Sequence, residues 1–158
     1  KSERNFLQVK FKVGRINNLK GGIFMVEKDE GYCFACGKDN PHGLHLEFEF
    51  DNDKLTTTKN LPREFQGYEG ISHGGIVTTL MDEAMSKFVQ KKYHKEGLTG
   101  RLEVRFHFPT PTEKNLKITA WEEMKRRNII STKATVELED GTITAEAKAK
   151  FAIDENNE

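Results

Sequence analysis

A histidine, two glycines and an aspartate in one short segment are the residues of this chain that could do chemistry together. His73, Gly74 and Gly75 open an apolar-striped helix, and Asp82 follows nine positions after the histidine. The first amides of a helix have no partner inside the helix and can hold an oxyanion, while a carboxylate deeper in the helix can act as a base. The segment therefore predicts two halves of an active site.

One helix cannot bring these two halves together. If the helix begins near Gly74, Asp82 lies about 12 Å further along it, at about 1.5 Å per residue, which is too far for both to touch one carbonyl group. An antiparallel twin helix related by two-fold symmetry would place Asp82 of one subunit beside Gly74 of the partner subunit. The motif itself therefore predicts a homodimer.

Glu83 and His73 are the other two residues of this segment that could act as the base. Glu83 has Lys87 four residues on, in the favourable order for a helical ion pair, so we expect it to be solvated. Asp82 has no cation at that spacing, and burial beside the apolar stripe should raise its pKa; a solvated surface aspartate is the alternative. A histidine at a helix N-terminus stays neutral and could accept a proton, but it more often anchors the turn. We therefore assign His73 a positioning role.

A second group of residues imitates a zinc site. Cys33, Cys36, His42 and His45 lie at the short spacing of a Cys₂His₂ set. His45, however, falls inside a strand pattern, and a nearby proline and glycine explain the segment as a turn. We expect a packed or pocket-lining loop and assign no metal ligand, with zinc binding as the open alternative.

The pattern around these motifs predicts one long helix against an antiparallel sheet. Apolar pairs recur every four residues over 76–89, which indicates a helix from Gly74 that ends between 94 and 97. Alternation predicts strands before and after this helix: 44–50, 54–60, 101–108, 116–124, 129–138 and 142–151. Asp140 and Gly141 mark a short hairpin turn. This order of elements indicates the α+β class.

Composition limits the class of protein further. The 158 residues suit one domain that can bury a core without a disulfide or metal staple. Lys+Arg and Asp+Glu are both 25, so a net charge of zero offers no overall field for nucleic acid or an anionic membrane. No apolar stretch reaches the length of a membrane span, and no secretory signal pattern is present. Two cysteines are too few for the disulfide framework of a small secreted domain. We therefore expect a cytoplasmic protein.

Three segments in this order resemble the hotdog-fold acyl-CoA thioesterases of the PaaI-like branch. They are CFACGKDNPHGL at 33–44, HGG with DEAM at 73–85, and TGRLEVRFHFP at 99–109. The resemblance implies a hotdog fold, in which the antiparallel sheet wraps the one long central helix and subunits join edge to edge as homodimers or homotetramers. It also implies a domain at 31–153, preceded by an N-terminal extension at 1–30 of uncertain structure and followed by a disordered tail at 154–158.

The resemblance also implies roles for individual residues. Asp82 would be the base or nucleophile, Gly74 the amide donor to the thioester oxygen, with Gly75 as a second donor, and Thr99 a hydroxyl that helps to place water. Some relatives carry an asparagine six residues before the histidine. This chain has Gly67 there, so that role is vacant or passes to a neighbouring polar residue, Gln66 or Ser72.

The function expected on these grounds is hydrolysis of an acyl-CoA to the free acid and CoA. A thiolate leaves without protonation, so an amide donor, a base and water suffice, and no cofactor is needed beyond the coenzyme A of the substrate. The alternative is a non-catalytic module that binds acyl-CoA or another acyl-thioester in the same groove. A hydratase is a weaker third possibility, because only His73 is near enough to act with the acid.

Overall fold

The computed structural model describes residues 31–153, so the predicted extension at 1–30 and tail at 154–158 lie outside the described residues. One helix packs against a six-stranded antiparallel sheet of order β1-β2-β6-β7-β8-β5. The elements are β1 (Glu49–Asp51), β2 (Lys54–Asn60), a 3-10 helix (Arg63–Phe65), β3 (Gln66–Tyr68), β4 (Ile71–Ser72), α1 (Gly74–Tyr93), β5 (Gly97–Phe106), β6 (Asn115–Arg126), β7 (Ile129–Glu137) and β8 (Ile143–Ile153). The α+β prediction is confirmed.

The long helix α1 is held by the apolar stripe that its sequence carries. Its buried side chains are those of Val77, Leu80, Met81, Ala84, Met85, Phe88 and Val89. The helix ends where His94 adopts the left-handed conformation, with φ of 53°. The His94 N–H donates a hydrogen bond to the Gln90 carbonyl. The predicted start and end of the helix are both confirmed.

The sheet faces the helix with many small side chains. Along β8, Ala145, Ala147 and Ala149 alternate with polar residues and are buried, because successive strand residues point to opposite faces. Short side chains on this face let the helix lie close to the middle of the sheet. At the turn between β7 and β8, Gly141 has φ of 87°, the positive value that the predicted Asp-Gly hairpin requires.

The segment before β2 is less regular than its alternation suggests. Leu44 and Leu46 are buried as predicted, but the strand expected over 44–50 pairs only at Glu49–Asp51. His45 between the two leucines has φ of 50°, which breaks the extended conformation that a paired strand needs. The strand prediction was therefore too long at its start.

Strand β5 forms one edge of the sheet. It pairs with β8 on one side, and the described residues place no strand on its other side. Large apolar side chains at this edge are open to solvent: Leu98 is 41% exposed, Phe106 51% and, just beyond the strand, Phe108 58%. An open edge carrying exposed apolar groups is a ready surface for pairing with another chain.

Candidate functional site

The histidine before α1 caps the helix. His73 has extended backbone angles, and its ring Nδ1 accepts a hydrogen bond of 3.0 Å from the Gly75 N–H. The accepting nitrogen carries no proton, so its lone pair is used for the cap and not for proton transfer. Its backbone N–H donates to the Phe65 carbonyl at 2.8 Å. The positioning role expected for His73 is supported by both bonds.

The two glycines at the helix start therefore differ as amide donors. The Gly75 N–H is taken by the His73 ring, whereas the Gly74 N–H donates to no group within residues 31–153. The Phe106 ring lies over Gly74, with its Cζ 3.4 Å from the place where a Cβ would stand. Of the two expected oxyanion donors, Gly74 is the one whose amide is free.

Asp82 lies on α1 opposite the start of β5. The Thr99 hydroxyl donates a hydrogen bond of 3.1 Å to Asp82 Oδ1. The pairing register of β5 with β8 shifts between Thr99 and Arg101, so Gly100 is the extra residue of a bulge. Bulges re-aim neighbouring side chains, and this one lies beside the threonine that reaches the carboxylate.

The environment of Asp82 suits a base. Burial raises the pKa of Asp82 above its ordinary value, the hydrogen bond from Thr99 opposes this shift, and the nearby Glu83 charge adds to it. Among the ion pairs of the described residues, none involves Asp82. The predicted rise in pKa by burial without a cation is confirmed.

Glu83 differs from its prediction. It forms no ion pair with Lys87, whose ammonium instead donates to the Gln90 side chain at 3.0 Å. One carboxylate oxygen, Oε1, is fully buried and has no hydrogen-bond partner among the residues described. The expectation of a solvated Glu83 is wrong, because the loop at 31–48 covers this side of the helix.

The covering loop brings Cys33 and Cys36 to Glu83. One ligating atom from each of these three residues lies within 4.8 Å of the other two. Burial, followed by the adjacent Glu83 carboxylate, raises the pKa of Cys36 to about 12, so this thiol is no nucleophile at neutral pH. The two histidines of the alternative Cys₂His₂ set do not join the group: the His45 Nε2 is 2.6 Å from the Asn40 carbonyl oxygen. His42 is exposed.

The position where some relatives carry asparagine lies against His73. A Cβ on Gly67 would stand 3.4 Å from the His73 Cδ2. The two polar neighbours considered for the vacant role are bound elsewhere: the Gln66 Oε1 accepts from the Gly70 N–H at 3.3 Å, and the Ser72 hydroxyl donates to the Pro111 carbonyl at 3.1 Å. Gly67 therefore leaves the space beside the histidine ring without an amide side chain.

The candidate site is split along β5. Asp82 meets this strand at Thr99, and Gly74 meets it at Phe106, because the strand runs back antiparallel to the helix. Eight residues of helix, or about 12 Å, separate the carboxylate from the free amide within one chain. One chain thus holds a half-buried carboxylate at one end of the edge strand and a free amide at the other.

Two features of this site were absent from the sequence prediction. Phe106 has no role in the sequence prediction, and its ring covers Gly74 while half exposed. The contact of Glu83 with the cysteine loop was missed as well, because the two segments are about 50 residues apart. The position of Phe106 could have been predicted from the sequence. The strand that follows the helix runs back along it, so the last residue of that strand lies near the start of the helix.

This arrangement, one long helix against a six-stranded antiparallel sheet, is the hotdog fold. It is shared with solved structures that have low sequence identity. A thioesterase superfamily protein is 24% identical with a TM-score of 0.71, over 77% of this chain and 60% of that chain. A hypothetical thioesterase from Streptococcus pneumoniae, solved with coenzyme A, is 17% identical with a TM-score of 0.63, over 68% of this chain and 87% of that one.

A third similar structure is the Escherichia coli PaaI protein from the phenylacetic acid degradation operon. It is 14% identical with a TM-score of 0.64, over 69% of this chain and 83% of that one. Residues 69–145 match the sequence model of the thioesterase superfamily. The resemblance to hotdog-fold thioesterases is therefore confirmed, and the matched segment contains both Gly74 and Asp82. A comparison with curated protein sequences finds no match.

The family match supports thioester hydrolysis as the general chemistry. In the part of the chain that the structure describes, no helix is long and apolar enough to cross a membrane. The cytoplasmic location stays a prediction, as do the homodimer and the homotetramer.

Proposed function

We propose that this protein is a dimeric acyl-CoA thioesterase that hydrolyses an acyl-CoA to the free acid and CoA. The observation that carries the proposal is the placement of Asp82, a half-buried carboxylate without a cation, beside an open sheet edge. The free Gly74 amide lies at the other end of the same edge. Coenzyme A as the carrier is supported by the related Streptococcus pneumoniae structure, whose title names that molecule.

The dimer needed to complete the site can be derived from the edge strand. Thr99 and Phe106 are separated by six paired positions on β5, about 20 Å at about 3.3 Å per residue. Because Gly100 is the extra residue of the bulge, Thr99 and Phe106 point to the same face of the sheet, and Glu103 is the midpoint between them. If two β5 strands pair antiparallel about a two-fold axis at Glu103, Thr99 lies opposite Phe106 of the partner subunit. Asp82 then meets Gly74 of the partner subunit, and the exposed apolar groups of this edge are covered.

In this site the thioester carbonyl oxygen accepts a hydrogen bond from Gly74 of the partner subunit. The N–H stabilises the negative charge that develops on that oxygen during attack. Asp82 either takes a proton from the attacking water or attacks the carbonyl carbon itself. In the second case, water then hydrolyses the mixed anhydride, which releases the free acid and restores the carboxylate. Thr99 keeps the carboxylate in place. The CoA thiolate leaves without a general acid. The proposed reaction uses no cofactor and no metal ion.

The direct test is release of free thiol from a panel of acyl-CoAs. The Asp82→Asn variant should lose at least ~10²-fold in rate, because the amide cannot act as a base or nucleophile. Asp39→Asn is the matched control, since Asp39 is exposed and lies outside the site; its rate should equal that of the wild type. Hydrolysis by Asp82→Asn at the wild-type rate would show that another residue is the base.

The second candidate function is an acyl-CoA or acyl-thioester binding module without catalysis. The favouring observation is the space left at Gly67, where some relatives carry an asparagine beside the histidine. A wild-type protein that binds acyl-CoA but releases no thiol across the panel would establish this alternative.

A further inference from the structure

The loop before β1 places two thiols and a carboxylate together on the side of α1 that follows Asp82. Atoms of Cys33, Cys36 and Glu83 all lie within 4.8 Å of one another, and all three residues are half-buried. In a tetrahedral zinc site with Zn–S bonds of about 2.3 Å and Zn–O bonds of about 2.0 Å, ligand atoms lie about 3.5–3.8 Å apart. Movements of about 1 Å would therefore bring these three atoms to coordination distances.

The backbone around the two cysteines forms a tight turn that holds their thiols near each other. The Gly37 N–H donates to the Cys33 carbonyl at 2.8 Å. A Cβ on Gly37 would stand 2.4 Å from the Cys33 N and 2.5 Å from the Gly31 carbonyl oxygen, so only glycine fits. Further along, the Leu44 N–H bonds to the Phe34 carbonyl at 2.8 Å and closes the loop over the turn. The two thiols are thus held in place by the backbone.

Glu83 supplies an independent sign that a cation belongs here. Its Oε1 is fully buried and receives no hydrogen bond from residues 31–153. On the same helix, the Lys87 ammonium donates to the Gln90 side chain and forms no ion pair with Glu83, although its charge lowers the pKa of Cys36. An unpaired buried carboxylate oxygen is costly, and the Asp82 charge beside it adds repulsion. A bound cation would satisfy this oxygen.

We propose that Cys33, Cys36 and Glu83 bind a divalent thiophilic cation of the zinc type. Each thiol releases its proton to solvent as its sulfur bonds to the metal, the carboxylate donates an existing lone pair, and no oxidation state changes. Two sulfurs and one oxygen suit zinc, with the fourth tetrahedral position left to water. The metal would fasten the loop at 31–48, which has turns but little regular structure, to α1.

This ligand set is distinct from the Cys₂His₂ set that the sequence suggests. His45 is turned toward the Asn40 carbonyl, and His42 is exposed on the outside of the loop. In the proposed set, Glu83 and a water molecule provide the two ligands that the histidines would provide in a Cys₂His₂ site. The proposed ligands include neither Asp82 nor Thr99, although Glu83 is next to Asp82 along α1 and its charge raises the pKa of that carboxylate.

The test uses the full chain, freed of metal with a chelator and titrated with Co²⁺ and with Zn²⁺. We expect one Co²⁺ per chain with thiolate-to-cobalt charge-transfer absorption, displaced by Zn²⁺, and a Tm that rises with added Zn²⁺. Glu83→Gln should weaken binding by at least ~10²-fold, since loss of even an outer partner costs up to about that much. Cys33→Ser and Cys36→Ser should remove the charge-transfer band.

His42→Ala is the matched control and should bind Co²⁺ as the wild type does. The near-isosteric Glu83→Gln variant keeps the test decisive where a serine variant does not fold. Absence of the charge-transfer band in the wild type, equal affinity in Glu83→Gln, or loss of binding in His42→Ala would each overturn the proposal. Thiol release by the same samples is a separate readout, so failure of the metal site and failure of hydrolysis can be told apart.

Discussion

Asp82 is subject to two opposing influences. Burial raises its pKa, while the hydrogen bond from Thr99 favours the charged carboxylate. A base or nucleophile must be charged to act, so activity should fall as the pH drops through the pKa of this group. In the proposed reaction, Thr99 would therefore extend the active range toward lower pH, besides fixing the position of the carboxylate.

Replacing Thr99 by valine should move the acidic limb of the pH profile of kcat/KM to higher pH. The variant loses the donor that lowers the pKa of Asp82, while burial still raises it. At pH values above this limb the rate should fall by about tenfold, the equivalent of one hydrogen bond to a charged group of about 1.5 kcal/mol. The measurement is the pH dependence of thiol release from one acyl-CoA.

Thr99→Ser is the control, because it keeps the hydroxyl and should keep the position of the limb. Thr58→Val tests the general effect of this substitution at an exposed strand position. A Thr99→Val profile that coincides with that of the wild type would mean that Asp82 is not the group seen in the profile.

The sequence was informative at Asp82 and misleading at Glu83 for one physical reason. Helical spacing shows which neighbours share a face within a helix, and it correctly gave Asp82 no cation. It cannot show what a distant loop places on that face. Cys36 reaches Glu83 from 47 positions away, and its arrival turns an expected surface acid into a half-buried one.

At the scale of elements, the start of α1 combines a cap and a free donor. His73 adopts φ of −61° and ψ of 131° and binds the Gly75 amide, which leaves the Gly74 N–H available. Gly74 occupies the first helical position, where proline is tolerated because no intrahelical bond uses that N–H. The extended angles of His73 are also those favoured before a proline.

Replacing Gly74 by proline should therefore remove the donor and keep the helix. The rate of acyl-CoA hydrolysis should fall by ~10²–10³-fold, the loss typical of one oxyanion donor. Far-UV circular dichroism and Tm should stay close to those of the wild type. The measurement compares kcat with both structural readouts on the same preparation.

Gly74→Ala is the matched control, because it keeps the N–H. Its Cβ would contact the Phe106 ring at 3.4 Å, an ordinary van der Waals distance, so activity should remain close to that of the wild type. A Gly74→Pro enzyme with normal kcat would exclude this amide as the oxyanion donor.

Most elements could be predicted because each carries a clear hydrophobic period. The helix stripe and the four strands after it were located from spacings of about 3.6 and 2 residues. The first of these strands was predicted at 101–108 but spans Gly97–Phe106, because the bulge at Gly100 interrupts the alternation at its start. The short hairpin of β3 and β4 was missed, since its strands have three and two residues and no alternation to detect. The start of the 44–50 strand failed at His45, whose left-handed backbone no pattern of apolar residues reveals.

At the scale of the whole molecule, the edge strand β5 connects the fold to the chemistry. It carries Thr99 at one end and Phe106 at the other, and the described chain leaves its outer side open. In the proposed dimer, a two-fold axis through the middle of β5 exchanges the two ends, so each dimer would have two composite sites. Each site takes Asp82 from one subunit and Gly74 from the partner subunit.

Mixing two inactive variants tests this composite site directly. Asp82→Asn and Gly74→Pro homodimers each lack one half of both sites. In a mixed dimer, the Asp82 of the Gly74→Pro subunit faces the intact Gly74 of the Asp82→Asn subunit, so one site of two is complete. Random exchange makes half of the dimers mixed, and activity should recover to about a quarter of the wild-type value.

The mixture should be unfolded and refolded together, with each variant refolded alone as the control. Light scattering checks that the wild type and the mixture contain dimers or tetramers. Activity in the mixture that does not exceed the sum of the two separate variants would place both halves of the site in one subunit. Within one chain, eight helical residues, or about 12 Å, separate Asp82 from Gly74. That outcome would therefore require the carboxylate and the amide to act on different parts of the substrate, and the proposed mechanism would be wrong.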